Sequence, residues 1–374
     1  MCKKISLLIF LFSSLFPLFA YSPGDYNSEI KKYTSNLPFT MGEIKAPVFR
    51  DKTFNIGDFG AIPDGYTLNT DPINKAITKC SEDGGGIVNI PAGLWITGPI
   101  LLKSNVNLHV ESGALVLFSK DHKNYPIVKL PLKGFSVASP ILGYNLENVA
   151  ITGEGIFDGS GETWRPVKKS KTTSSQWQEL IKSGGYVDNP NSTWYPSQDA
   201  YEGLQNIKKV KANKNLSEND FVPYRESMRP YMTLLINCKN VLIDGVTIQN
   251  SPMFALQPLQ CENVIFRNIK INNERWAQNG DGIDINACDN VLIYQCTVNA
   301  GDDGICMKAG SSKKQSPVIK NIVIADCIVY HAHGGFVIGS ETDGGIKNIS
   351  VKNCNFIGTD IGLRFKSAKD RGTC

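Results

Sequence analysis

The chain has 374 residues, 41% of them hydrophobic and only 20% charged, with 34 Gly and 19 Pro. This is too apolar for a disordered chain and too long for a disulfide-stapled mini-scaffold. With 39 Lys and Arg against 35 Asp and Glu the formal charge is +4, far short of the basic bias of a nucleic-acid binder.

Lys3 and Lys4, an apolar run over residues 5–19 broken only by Ser and Pro, and the small Ala20 read as a secretory signal over residues 1–20. The run is short for a membrane span and contains Pro17, so no stable membrane insertion is expected. Cys2 precedes the run, where it cannot be the lipid-modified Cys of a lipoprotein signal. Cleavage removes two Lys and leaves 37 basic against 35 acidic side chains, a charge of +2. The mature chain is expected in the periplasm or outside the cell. Residues 21–51 read as an N-terminal extension.

Further on, Thr70-Asp71-Pro72 followed by Ile73, Ala76 and Ile77 predicts a short helix. Thr70 or Asp71 is expected as N-cap, with Pro72 in the first turn. From Asn105 onward one phrase recurs, an Asn followed by aliphatic residues, at Asn105, Asn148, Asn240, Asn263, Asn290, Asn321 and Asn348. The last five begin 23, 27, 31 and 27 residues apart. Several phrases are followed by a second short apolar strand, as at Val246-Thr-Ile248, and no helical period lies between them. Strands returning at this interval, with Gly, Asn and Asp at the corners, predict an all-β right-handed parallel β-helix over residues 52–374. The early helix would cover its N-terminal end.

Cys238, Cys261 and Cys288 each stand two residues before a repeat Asn, and Cys296, Cys327 and Cys354 each six after one. Equal offsets stack side chains in columns. Ten Cys in an exported chain invite a disulfide reading, but small apolar side chains in an interior column fit buried free thiols better. Between Thr163 and Arg229 the repeat is lost in a polar, aromatic-rich insertion, with a helix expected at Gln176 to Lys182. Its cations, among them Arg165, Lys168, Lys169, Lys171, Lys208 and Lys209, suit a polyanion. Long insertions on a rigid solenoid tend to wall binding sites.

One region gathers charge: Asn279-Gly-Asp281-Gly-Ile-Asp284, then Gly301-Asp302-Asp303-Gly304, His333-Gly-Gly, and Arg364-Phe-Lys366. Asp281 to Asp302 is 21 residues, and Asp302 to His333 and His333 to Arg364 are 31 each, about one coil apiece. Three carboxylates, an imidazole and two cations would therefore converge in one groove. That set suits glycoside hydrolysis, in which one carboxylic acid protonates the leaving oxygen and another carboxylate activates water or attacks directly. Crowding of Asp281, Asp302 and Asp303 would raise at least one carboxyl pKa. Arg364 and Lys366 would hold an anionic group. Asp284 reads as structural turn chemistry. His331 and His333, placed on one side of a strand, form a weak metal pair without Cys or Glu ligands nearby.

The set Asn-x-Asp, Gly-Asp-Asp-Gly, His-Gly and Arg-x-Lys resembles the signature of the polygalacturonases, glycoside hydrolase family 28. Phe54 to Gly65 and Gly84 to Gly93 resemble that family's opening coil, and the resemblance extends over roughly residues 52–370. It implies an inverting hydrolase of α-1,4-linked galacturonan, with Asp302 as general acid and Asp281 with Asp303 activating the water. His333 would tune or shuttle the acid's proton. Arg364 and Lys366 would bind the galacturonate carboxylate, and Asn279 also belongs to the substrate-binding set. No metal or cofactor is implied, the partner is an acidic polysaccharide, and the oligomeric state is left open. The insertion and the Gly-Gly-Phe after His333 resemble exo-acting bacterial members more than endo-acting ones. Family members usually continue for several coils past the Arg-x-Lys, so C-terminal coils are expected to be missing. Two rival readings are a calcium-dependent pectate-lyase-like eliminase and a non-catalytic carbohydrate-binding solenoid.

Overall fold

The computed structural model describes residues 23–310 and 317–366, so the expected signal lies outside the described residues. Among these, three parallel sheets of nine, eight and nine strands are each built from successive returns of the chain. One coil supplies one strand to each sheet. Lys239–Asp244, Thr247–Gln249 and Leu256–Leu259 make one coil, and Glu262–Arg267, Lys270–Asn272 and Ile283–Asn286 the next. The result is the expected right-handed parallel β-helix.

The recurring Asn has a double cause. All seven repeat Asn residues have φ between +53° and +63°, a left-handed conformation that Asn tolerates better than other side chains with a Cβ. Each amide can both donate and accept, so neighbours link into a ladder. Asn148 donates to Asn105 at 3.1 Å, Asn240 to Asn148 at 3.1 Å, Asn263 to Asn240 at 3.1 Å and Asn290 to Asn263 at 2.7 Å. The ladder breaks once: Asn321 turns to Asp289 at 2.8 Å before Asn348 resumes the contact with Asn321.

After Asn148, Asn240, Asn263, Asn290 and Asn321 the phrase is apolar at every position because both faces are buried. Val241, Ile243, Val264 and Val291 point into the coil core, whereas Leu242, Ile265, Leu292 and Val323 point outward. The outer face is covered by helix α1 (Pro23–Thr34) and the segment after it, through Tyr26, Ile30, Tyr33, Ile44 and Ala46. The extension assigned no structure thus contains a helix, whose Tyr26, Ile30 and Tyr33 fall at helical spacing. Helix α2 (Thr70–Glu82) buries Ile73, Ala76, Ile77 and Cys80 against the first coils, as expected of an end cap. Its N-cap is Asn69 rather than Thr70 or Asp71. The Asn69 amide is committed to Ile62 and Thr67, and Thr70 Oγ1 accepts from Gly98 N, so no side chain caps the first turn.

The cysteine columns form as expected. Backbone amides of Cys238 and Cys261 each point at the sulfur one coil on, at 3.4 Å, and the eight described cysteines are free and buried except for half-buried Cys354. The insertion holds the expected helix as α3 (Ser174–Lys182), opened by a Thr173–Gln176 capping box, and a second, α4 (Gln198–Lys211), capped by Ser197. A small antiparallel sheet of Val167–Lys168, Thr193–Tyr195 and Tyr186–Asp188 joins them. No helix among the described residues is long and apolar enough to cross a membrane.

Candidate active site

The eight-stranded sheet carries the site on strands Ile283–Asn286, Asp303–Lys308, Gly334–Ile338 and Leu363–Phe365, which stack in that order. Register decides which side chains meet. Ile283 pairs with Ile305, so Asp281 and Asp303, each two residues earlier, lie in one column. Asp303 pairs with Gly334, which puts Asp302 beside His333. Residue intervals alone had aligned Asp281 with Asp302 and His333 with Arg364. Both alignments are corrected, because coils differ in length at their corners. Arg364 pairs with Val337, further along its strand.

The glycines around the doublet allow the coils to stack this closely. A Cβ on Gly301 would lie 2.5 Å from the Glu274 carbonyl oxygen, and one on Gly304 would lie 2.4 Å from a Val329 methyl. These are far inside van der Waals contact, so the motif needs Gly for close approach.

Oxygens of Asp281, Asp302 and Asp303 lie within 4.8 Å of one another. Asp281 is 3% exposed and its Oδ1 has no hydrogen-bond partner. Asp303, 2% exposed, is ion-paired to Lys366 Nζ and lies 3.9 Å from Arg364. Asp302 Oδ1 meets His333 Nδ1 at 3.0 Å, and that face is partly open to solvent. The expected residues Asp281, Asp302, Asp303, His333, Arg364 and Lys366 are therefore gathered. Asn279 stands two residues from Asp281, its Oδ1 held by Arg229 at 2.8 Å.

The electrostatics separate the three carboxyls. Burial first, then the charge of Asp284, holds the Asp281 carboxyl well above the ordinary carboxylate range. Burial also pushes Asp302 upward. The hydrogen bond and charge of His333, with the charges of Lys171 and Lys366, outweigh it and leave Asp302 below its ordinary value. One carboxyl of the cluster is raised, but by burial and Asp284 more than by crowding from Asp302 and Asp303, and in the free protein it is Asp281, which makes no ion pair among the described residues.

Asp284 is fully buried, 3.5 Å from Lys308 Nζ, and burial pushes it up to about 6 despite that cation. It is part of the charged network behind Asp281 rather than simple turn chemistry. The two histidines do not form a metal pair: exposed His331, φ +54°, lies outside the strand, on a polar cavity of about 390 Å³ shared with Asp158, Gln249 and Asn299. Among the described residues, the group able to hold a cation is the carboxylate cluster itself. Three nearby cations escaped sequence reasoning as site residues: Lys308, Arg229 and Lys171, whose Nζ donates to Gly301 O at 2.9 Å. Only the basic character of the insertion hinted at the last two.

A parallel β-helix with clustered carboxylates and flanking cations on its stacked strands carries the groups that acid–base cleavage of a glycosidic bond uses. The family described as Glycosyl hydrolases family 28 matches residues 213–374. The exo-poly-alpha-D-galacturonosidase of Dickeya chrysanthemi is 30% identical over 334 residues, which are 85% of this chain and 52% of that protein. A probable polygalacturonase of Vitis vinifera is 27% identical over 347 residues, 88% of this chain and 60% of that one. Among solved structures, a hyperthermoactive exopolygalacturonase from Thermotoga maritima superposes with a TM-score of 0.71 and 31% identity, covering 93% of this chain and 74% of its own. The chain belongs to glycoside hydrolase family 28. It spans little more than half the length of the curated relatives it matches.

Proposed function

We propose that the chain hydrolyses α-1,4-galacturonosidic bonds of polygalacturonate, acts from a chain end, and works outside the cytoplasm after export. The observation that carries this is the Asp281, Asp302 and Asp303 cluster, flanked by His333 on one carboxyl and by Lys366 and Arg364 on another. Asp302 is the proposed general acid: it is the carboxyl open to solvent and in contact with an imidazole that can relay a proton to it. Asp281 and Asp303, stacked in one column, would position and deprotonate the attacking water. Arg364 and Lys366 would release Asp303 in part to grip a galacturonate carboxylate, and Asn279 would donate to the sugar. The exo mode is supported by the insertion, whose Lys171 and Arg229 reach the site's edge, and by similarity to proteins named exo-acting.

Asp302 is held low in the free site by cations that an anionic substrate would neutralise. Binding of galacturonate therefore raises the Asp302 carboxyl and favours its protonated form in the complex. The stereochemistry needs its own measurement. The oxygens approach within 4.8 Å, nearer than the separation of roughly 6.5–9.5 Å usual for inverting pairs. Inversion would need the water held by Asp281 and Asp303 to reach the anomeric carbon from the face opposite the leaving oxygen. Proton NMR of the first-formed sugar gives β-anomer for inversion and α-anomer for retention.

The test of function is chromatography of early products from polygalacturonate, with ultraviolet absorbance followed in parallel. Monomer or dimer alone, without new absorbance, is the expected result. A ladder of oligomers would mean endo action. Absorbing, unsaturated products would mean elimination, and no products at all would favour a binding solenoid.

A further inference from the structure

Arg364 and Lys366 serve the Asp303 end of the doublet, and a different cation stands at the Asp302 end. Lys171, brought by the insertion, is half-buried and donates to the Gly301 carbonyl at 2.9 Å, one residue before Asp302. Gly301 N in turn donates to Gly280 O at 3.0 Å, so Lys171 sits against the residues that lead into both Asp281 and Asp302. An ammonium has three donors, and only one is engaged here. Among the described residues Lys171 makes no ion pair. Burial lowers its pKa, and the charges of Asp302, Asp281 and Asp360 act against that. It is a cation near carboxylates but committed to none.

The neighbouring Asn279 is oriented by Arg229. A guanidinium only donates, so its contacts with Gln278 O at 2.9 Å and with the Asn279 amide at 2.8 Å fix Oδ1 toward the arginine. The Asn279 NH2 is thereby turned away as a donor, without a partner among the described residues. Burial brings Arg229 down to about 10, so it stays charged at neutral pH.

Resting on the hydrolase reading above, we propose that Lys171 is a second substrate-carboxylate cation, acting at the Asp302 end of the doublet, with Asn279 presented beside it by Arg229. Arg229 is a positioning residue here. In a polyuronate every sugar carries a carboxylate, so cations at both ends of the doublet let the site read two sugars, one on each side of the bond to be cut. The insertion would then set specificity as well as wall the groove.

The experiment is calorimetric titration of trigalacturonate, and of its full methyl ester, into the inactive Asp302→Asn protein with and without Lys171→Met. Losing a charge-assisted contact should weaken trigalacturonate binding roughly 10- to 100-fold, leave ester binding unchanged, and be restored by Lys171→Arg. Circular dichroism checks the fold of each variant. Equal affinity for trigalacturonate with and without Lys171→Met would overturn the proposal, as would equal weakening of acid and ester, which marks a structural lysine. Absence of trigalacturonate binding in the parent, together with no hydrolysis by wild type, would instead remove the galacturonan reading, and this proposal with it.

Discussion

Replacing Asp281 by Asn should make the protein more stable and less active at once. Asp281 is 3% exposed, its Oδ1 has no hydrogen-bond partner, and burial with Asp284's charge holds its carboxyl well above the ordinary range. Asn keeps the shape, removes the titration and offers an NH2 to the Asp302 and Asp303 oxygens, which lie within 4.8 Å of an Asp281 oxygen. An unsatisfied buried polar group costs about 1–3 kcal/mol, so the variant should melt a few degrees higher at neutral pH. The sign with pH follows from linkage. The folded carboxyl holds its proton to higher pH than the unfolded one, so the native state binds more protons in that window and wild-type stability falls as pH rises through it. The variant's advantage should be full above the folded pKa and close as pH falls below the unfolded one. Turnover on polygalacturonate should drop about 10²–10⁴-fold if Asp281 shares the base role. Thermal melts across pH and a reducing-sugar assay measure both. An advantage that widened toward acid, or a variant no more stable than wild type at neutral pH, would refute the electrostatic reasoning, and wild-type turnover would remove Asp281 from the base.

Asp302→Asn should lower turnover about 10²–10⁴-fold with little change in substrate affinity; near-normal turnover in a folded variant would assign the acid elsewhere. Because anionic substrate relieves the cations that hold Asp302 low, the alkaline limb of kcat should lie at higher pH than that of kcat/KM, and coincident limbs would contradict substrate-raised acidity. Native-state hydrogen exchange should be much faster over residues 346–366 than over residues 285–305. Ile357, Leu363 and Phe365 are about half exposed or more, at 49%, 59% and 64%, whereas Val291 and Ile293 are fully buried. Equal protection in the two segments would show that the last described coil is held as firmly as the middle of the stack.

The coil stack was legible because its repeat has a local cause that every coil must meet. Asn appears wherever the chain turns through a left-handed corner and hands an amide to its neighbour, so Asn240, Asn263 and Asn290 recur with the same aliphatic run behind them. The doublet Asp302-Asp303 was legible for the same reason, bounded by Gly301 and Gly304, whose lack of a side chain lets adjacent coils close. What the repeat did not encode is which residues share a column. Coil length varies at the corners, so a 21-residue interval pointed Asp281 at Asp302 when strand register stacks it on Asp303.

Two other parts were hidden because their evidence is non-local. The outward Leu242, Ile265 and Leu292 read as ordinary strand residues, and only the placement of Tyr26, Ile30 and Tyr33 across that face explains why no polar residue alternates with the core positions. The acidity of the site is set from still further away. Asp281 and Asp302 are chemically identical and one coil apart, yet one is raised and the other lowered. Full burial and the charge of Asp284 raise Asp281, whereas His333 and Lys366 in later coils and Lys171 in an insertion that the repeat does not predict lower Asp302. A motif fixes which groups can exchange a proton; the cations delivered by other coils and by the insertion decide which of them holds it before substrate arrives.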